Sequence, residues 1–320
     1  MKPTRVRAWP ESVGYIPLLS SVSDASNPTP ELFIEFSGCT DVDSCGLTAT
    51  LLKTLIFIEK INAGEKRVSW TTDVDLESPI AKRIVNLGFF SPIMHLSQPS
   101  LFLSDYSSKE DITASASEDL AKKTSYKIYH IQLSSSKDRR HPIKQFIRHL
   151  LGTLCTYESI YDINTRQLIT IIYELAKNSA DHTNSDAYFG LDIFEYNRNL
   201  KIQFLFGDTG EGIKHSIQSH FEDELLERAP YFSLTEAYHM ACKKGFTSKP
   251  QTGKNLGVGM STAIESSQML GVTLSVFDAH SRGILSNLQK ISHAEVRKIF
   301  YPVSRDTPFC YFGSIGAEKK

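Results

Sequence analysis

Residues 174–182 read Glu174-Leu175-Ala176-Lys177-Asn178-Ser179-Ala180-Asp181-His182, the closing turns of a helix expected over about Thr165 to His182. At about 100° per residue, Glu174, Asn178 and Asp181 fall within roughly 60° of one another. Leu168, Ile171, Ile172, Leu175 and Ser179 fill a different sector, the one expected to pack on a sheet. Three polar groups of matched orientation therefore look into a space above the core. Two strands are expected next, Ala187 to Tyr196 and Leu200 to Phe206, joined through Asn197-Arg198-Asn199. Upstream, Lys127 to Leu133 alternates as a strand, and Ile143, Phe146, Ile147, Leu150, Leu151 and Leu154 share one helical face. The pattern predicts an α+β fold, with helices layered on a mostly antiparallel sheet.

Two glycine-rich segments follow. The first is Gly207-Asp208-Thr209-Gly210-Glu211-Gly212-Ile213, an aspartate at the end of a buried strand followed by glycines that let backbone approach a planar ligand. The second is Gly253-Lys254-Asn255-Leu256-Gly257-Val258-Gly259-Met260, running into a helix over Ser261 to Leu270. Glycines opening a helix expose free N–H groups, an environment suited to phosphate.

In this order the three motifs resemble the GHKL superfamily of ATP-binding domains, which holds histidine kinases, anti-sigma-factor kinases, gyrase B, mismatch-repair ATPases and a heat-shock chaperone. The resemblance covers about Lys127 to Ile315, including Thr307-Pro308-Phe309 before the last strand. It implies ATP and Mg2+ as ligands and an α/β sandwich as the fold. It assigns Asn178 to the metal and Asp208 to the adenine amino group. Gly210, Gly212, Gly257 and Gly259 let backbone close around base and phosphates, and Asp181 is counted with them at the nucleotide. Glu174 matches the residue that orients or deprotonates a nucleophile. Lys249, in the lid-like Gly245-Phe246-Thr247-Ser248-Lys249, is assigned to the terminal phosphate. His182 points toward the apolar sector and is read as packed or hydrogen-bonded. Lys254-Asn255 stands where many members have glycine, and Met260 where leucine is usual, which bears on how a lid closes.

Toward the amino terminus, Leu32 to Phe36 reads as a strand, with a turn at Ser37-Gly38. Leu47, Leu51, Leu55, Ile58 and Ile61 then recur at helical spacing. A strand over Val68 to Thr71 and a short helix at Ile80, Ile84 and Leu87 follow. Together with Asp43-Ser44-Cys45-Gly46-Leu47, this order resembles a STAS domain, the fold of anti-sigma-factor antagonists. In that family the residue at position 45 is a phosphorylated serine; here it is Cys45, which forms no phosphoester. The turn Asp43 to Gly46 is therefore expected to dock on the ATP site as a pseudosubstrate. Residues 1–30 are expected to be irregular, 31–100 the STAS-like domain, 101–126 a linker and 127–320 the ATP-binding domain.

The chain has 320 residues, 41% hydrophobic and 22% charged, an ordinary globular composition. Its net charge of −1, from 35 basic and 36 acidic residues, offers no overall attraction to nucleic acid or anionic lipid. No apolar run approaches the roughly 20 residues of a membrane span, and the first residues lack a signal-peptide stretch. Five cysteines without a Cys-x-x-Cys pair suit a reducing cytoplasm. The expected function is an ATP/Mg2+ switch, a partner-switching protein-serine kinase or slow ATPase governed by its STAS-like unit and acting on a regulatory protein partner. The alternatives are a conformational-clamp ATPase, a sensor histidine kinase and a non-hydrolysing ATP sensor. Sequence leaves the oligomeric state open, a homodimer among the options.

Overall fold

Parallel strands need crossovers that carry the chain back to its starting edge, and helices supply them in the amino-terminal unit. Its strands are β1 (Thr4–Arg7), β2 (Glu31–Glu35), β3 (Ser69–Thr72) and β4 (Gln98–Pro99), adjacent in that order and all parallel. Helix α1 (Ser44–Asn62) links β2 to β3, and α2 (Pro79–Asn86) and α3 (Phe90–Leu96) link β3 to β4. Helix α2 starts where Ser78 accepts the Ala81 N–H at 3.1 Å with Pro79 in the first turn. This computed structural model describes residues 4–7, 31–36, 39, 42–62, 69–75, 78–96, 98–99, 124–196, 198–210, 212–213, 215–217, 234–242, 259–278, 283–285 and 309–320.

The carboxy-terminal unit contains β5 (Thr124–Ile131), α4 (Arg140–Glu158), α5 (Thr165–His182), β6 (Ala187–Tyr196), β7 (Asn199–Asp208) and α6 (Leu234–Ala241). Then come α7 (Gly259–Leu270), β8 (Thr273–Asp278), β9 (Gly283–Leu285) and β10 (Phe309–Glu318). Its six strands run in the order β5-β6-β7-β10-β8-β9, every neighbouring pair antiparallel. The fold class is α+β, as the periodicity predicts.

Strand alternation sends one set of side chains to each face of this sheet. Phe189, Leu191, Ile193, Ile202, Phe204, Phe206 and Tyr311 form one core with Ile143, Phe146 and Leu150 of α4 and Leu168, Ile171, Ile172 and Leu175 of α5. Tyr188, Leu205, Cys310 and Phe312 point the other way. They join a second core made of Leu32, Ile34, Leu47, Leu51, Leu55, Trp70 and Phe89. Helix α1 therefore lies between the two sheets, and from Val42 to Phe57 every residue except half-buried Ile56 is buried. Its threonines satisfy themselves locally: Thr48, Thr50 and Thr54 donate to the carbonyls of Ser44, Gly46 and Thr50.

Three expectations need correction. The segment 1–30 is not irregular throughout, because Thr4–Arg7 forms β1. Four residues, two of them arginine, carry too little alternation to read as a strand, and the edge of β2 supplies the pairing. The linker ends earlier than residue 126, since β5 begins at Thr124. Leu151, expected on the apolar face of α4, is 41% exposed, because the buried stripe is the narrower set Ile143, Phe146, Leu150 and Leu154.

Candidate functional site

Helix α5 carries the first part of the site. It starts where the Asn164 side chain accepts the Gln167 N–H at 3.1 Å, and Leu168, Ile171, Ile172 and Leu175 seat it on the sheet. This leaves Glu174 and Asn178 half-buried and directed toward the start of α7. The contact is close: a Cβ on Gly259 would lie 2.7 Å from Glu174 Oε2 and 3.3 Å from Asn178 Oδ1. Only a glycine lets the first turn of α7 sit there. Glu174 Oε2 is buried and has no hydrogen-bond partner among the described residues; the Lys177 ammonium lies 3.7 Å away.

The end of β7 supplies the second part. Asp208 is fully buried, its Oδ2 accepting the Ser179 hydroxyl and its Oδ1 accepting the Gly210 N–H at 2.8 Å. Burial pushes this carboxyl up to about 6, against the hydrogen bonds from Ser179 and Gly210 and the charge of Arg139. It stays an acceptor at neutral pH, held from two sides. Gly210 is pressed between Thr183 and Asp208: a Cβ there would lie 2.5 Å from Thr183 Cγ2 and 2.9 Å from Asp208 Oδ1. Gly212 continues the turn at φ +81°, a conformation that favours glycine.

Of the residues singled out in the sequence, the structure thus brings Glu174, Asn178 and Gly259 into one contact and Asp208 and Gly210 into another. Ser179, one residue after Asn178, ties the two together. Asp181 is half-buried further along α5. His182 sits with its Nδ1 3.5 Å from the Ser216 hydroxyl, in keeping with a packed, hydrogen-bonded histidine. Gly257, Lys249 and the whole Gly245 to Lys249 segment lie outside the described residues, as do Glu211 and Thr307-Pro308.

Sequence reasoning passed over Ser179, Thr183 and Arg139. A serine among leucines and isoleucines on a buried face was the signal for Ser179, since a buried hydroxyl needs a partner. Arg139, just before α4, left no signal. Its Nε and Nη2 are buried without hydrogen-bond partners among the described residues, while its charge reaches Asp208.

The Asp43 to Gly46 turn is elsewhere. Asp43 Oδ1 accepts the Gly46 N–H at 2.6 Å, and Asp192 of β6 accepts the Ser44 and Cys45 amides at 2.8 and 2.9 Å. Asp192 alternates with Leu191 and Ile193, so it faces away from α5. The turn is therefore buried on the back of the large sheet, and the expected pseudosubstrate contact with the Asp208 and Glu174 cluster is not made. Ser44 and Cys45 are both 0% exposed, which withholds them from any phosphate donor.

No family model matches the chain, and no curated protein matches it either. No helix among the described residues is long and apolar enough to cross a membrane.

Proposed function

We propose that the carboxy-terminal unit is a GHKL-type switch that binds ATP with Mg2+ and passes the terminal phosphoryl group to water or to a partner protein. One observation carries the reading: Gly259, Glu174 and Asn178 from distant parts of the chain meet at one contact, and Ser179 joins them to Asp208 and Gly210. The residues suit the ligand chemically. Asn178 offers an amide oxygen of the hard type that magnesium takes, and the metal would neutralise phosphate charge. The amino-terminal end of α7 offers free N–H groups, and the Arg139 guanidinium has donors to spare. Asp208, held between two donors, is a positioned acceptor for an exocyclic amine.

Glu174 is the proton acceptor in this reading. Its Oε2 takes the proton of a water or hydroxyl as the oxygen of that water or hydroxyl bonds to the terminal phosphorus and the bond to the ADP oxygen breaks. The acceptor is not Cys45 or Ser44, whose burial behind the sheet removes them from reach. The amino-terminal STAS-like unit is then a constant backing layer, and the phosphoacceptor or regulator is another molecule. The five cysteines are free thiols, which agrees with a reducing, cytoplasmic setting.

Calorimetric titration with ATP and magnesium tests the site. Asp208→Asn and Asn178→Ala should each weaken binding by about tenfold or more, since each removes a buried polar contact. Wild-type affinity in both variants would falsify the assignment. Incubation with γ-labelled ATP then separates free phosphate from labelled protein.

A further inference from the structure

The turn Asp208-Thr209-Gly210 has two sides. Asp208 faces α5, whereas Thr209 faces α1, where its hydroxyl donates to Glu59 Oε1 at 3.4 Å. On that second side a cleft of about 650 Å³ opens between α1, α3 and the ends of β5 and β6. This volume falls in the range of small-molecule sites, about 300–1,000 Å³. No lysine or arginine is among its described lining residues.

The charge in the cleft is negative and held in place. Asp186 Oδ1 accepts the backbone N–H and the hydroxyl of Ser134 at 2.8 and 2.7 Å, and its Oδ2 lies 2.7 Å from His130 Nε2. Burial works to raise this carboxyl, but the bonds from His130 and Ser134 win and hold it at about 2. Partial burial pushes the Glu59 carboxyl up, and the charge of Asp186 adds to the push against the Thr209 bond. Tyr188 is the independent sign of a ligand. It lines the cleft, is 4% exposed, and its ring stacks flat on His130 at 4.8 Å. Burial and the charges of Asp186 and Glu59 push its phenol up, so it remains a neutral donor and acceptor.

We propose that this cleft is a second binding site, behind the sheet from the Asp208 cluster, for a small organic cation of the amine or guanidinium class. Glu59 and Tyr188 receive its N–H donors, and Asp186 supplies the standing charge. No group of three or more metal-ligating side chains occurs among the described residues, which turns the reading from a metal ion to an organic cation. Glu59 also touches Thr209, so the occupant would press on the same turn that positions Asp208.

The test needs no nucleotide, so its failure is separate from failure of the ATP reading. The full chain is titrated calorimetrically with agmatine, a guanidinium compound, and with butylurea, an uncharged urea on the same four-carbon chain. Saturable agmatine binding that weakens with salt, and none for butylurea, is expected. Glu59→Gln keeps an oxygen for Thr209 but removes the charge, and Tyr188→Phe keeps the ring stack but removes the hydroxyl. Each should lower agmatine affinity by about tenfold, the cost of one charge-assisted hydrogen bond. No saturable binding at millimolar agmatine, equal binding of butylurea, or wild-type affinity in both variants would overturn the proposal.

Discussion

Asp192, in the middle of β6, accepts the backbone amide of Cys45 at 2.9 Å across 147 residues of chain. It takes the Ser44 amide as well, while Asp43 takes those of Gly46 through its carboxylate and Leu47 through its carbonyl. The helix-start amides of Ser44, Cys45 and Gly46, which have no partner within the helix, are thus all satisfied, two of them by the opposite unit, and Leu47 makes the first bond of the helix ladder. Two carboxylates at this end also complement the helix dipole. Burial and the neighbouring charge of Asp43 push the Asp192 carboxyl up. The seam between the units is a polar cap set inside an apolar core.

Gly190 lets α1 come that close. A Cβ there would lie 2.5 Å from both the Ser44 carbonyl oxygen and Thr48 Oγ1. Gly190→Ala should therefore cost ~1–3 kcal/mol, the usual range for overpacking a core. Gly152→Ala is the matched control: a Cβ there meets nothing within 4 Å inside α4, so the change should add ~0.5–1 kcal/mol. Urea unfolding of both variants compares them; equal effects would reject the close approach.

Deletion of residues 1–100 should not speed the proposed nucleotide turnover. It uncovers Tyr188, Leu205, Cys310 and Phe312 on the back of the large sheet. Leu205 and Phe312 alone forfeit ~1.5–3 kcal/mol each of burial. The expected product is insoluble or binds a hydrophobic dye strongly, as read by gel filtration and dye fluorescence. A soluble, monomeric remainder with faster turnover would restore the autoinhibited reading.

Glu174→Gln should retain nucleotide and lose turnover. The substitution preserves the packing against Gly259 and removes the proposed proton acceptor, a change worth about 10²–10⁴ in rate. Single-turnover assays with labelled ATP, beside the binding titration, separate the two effects. Turnover at the wild-type rate would assign the proton to another group.

Stability should rise as pH falls from about 6 toward about 4. Asp208 titrates at about 6 in the folded chain and Asp192 is also raised, whereas unfolded aspartates titrate near ~3.9. The folded state takes up these protons first, so acidification favours it across that window. Asp186, held at about 2, acts oppositely, but its contribution is lost only below about pH 4. Thermal melts of wild type and Asp192→Asn between about pH 7 and pH 5 decide the point. The variant should show the shallower slope, and identical slopes would reject the buried-carboxylate origin.

Local rules made much of this protein legible. The 3.6-residue period and a side-chain cap set α5 at Thr165–His182, and strand alternation set β6 at Ala187–Tyr196. Glu174 and Asn178 share a helical face by arithmetic, and Asp208 followed by glycines marks a strand end where backbone must turn closely. Tertiary structure decided what touches what. Ser179 looked like packing until Asp208 came within reach of its hydroxyl, and Gly259 became necessary only once α7 lay against Glu174. The position of α1 was the largest matter left to it. Its leucines reach around more than one face and its threonines bond to their own helix, which suits burial on all sides but names no neighbour. Asp192 names it, and a carboxylate in the middle of a strand can be understood only when the amides it caps arrive from a distant part of the chain.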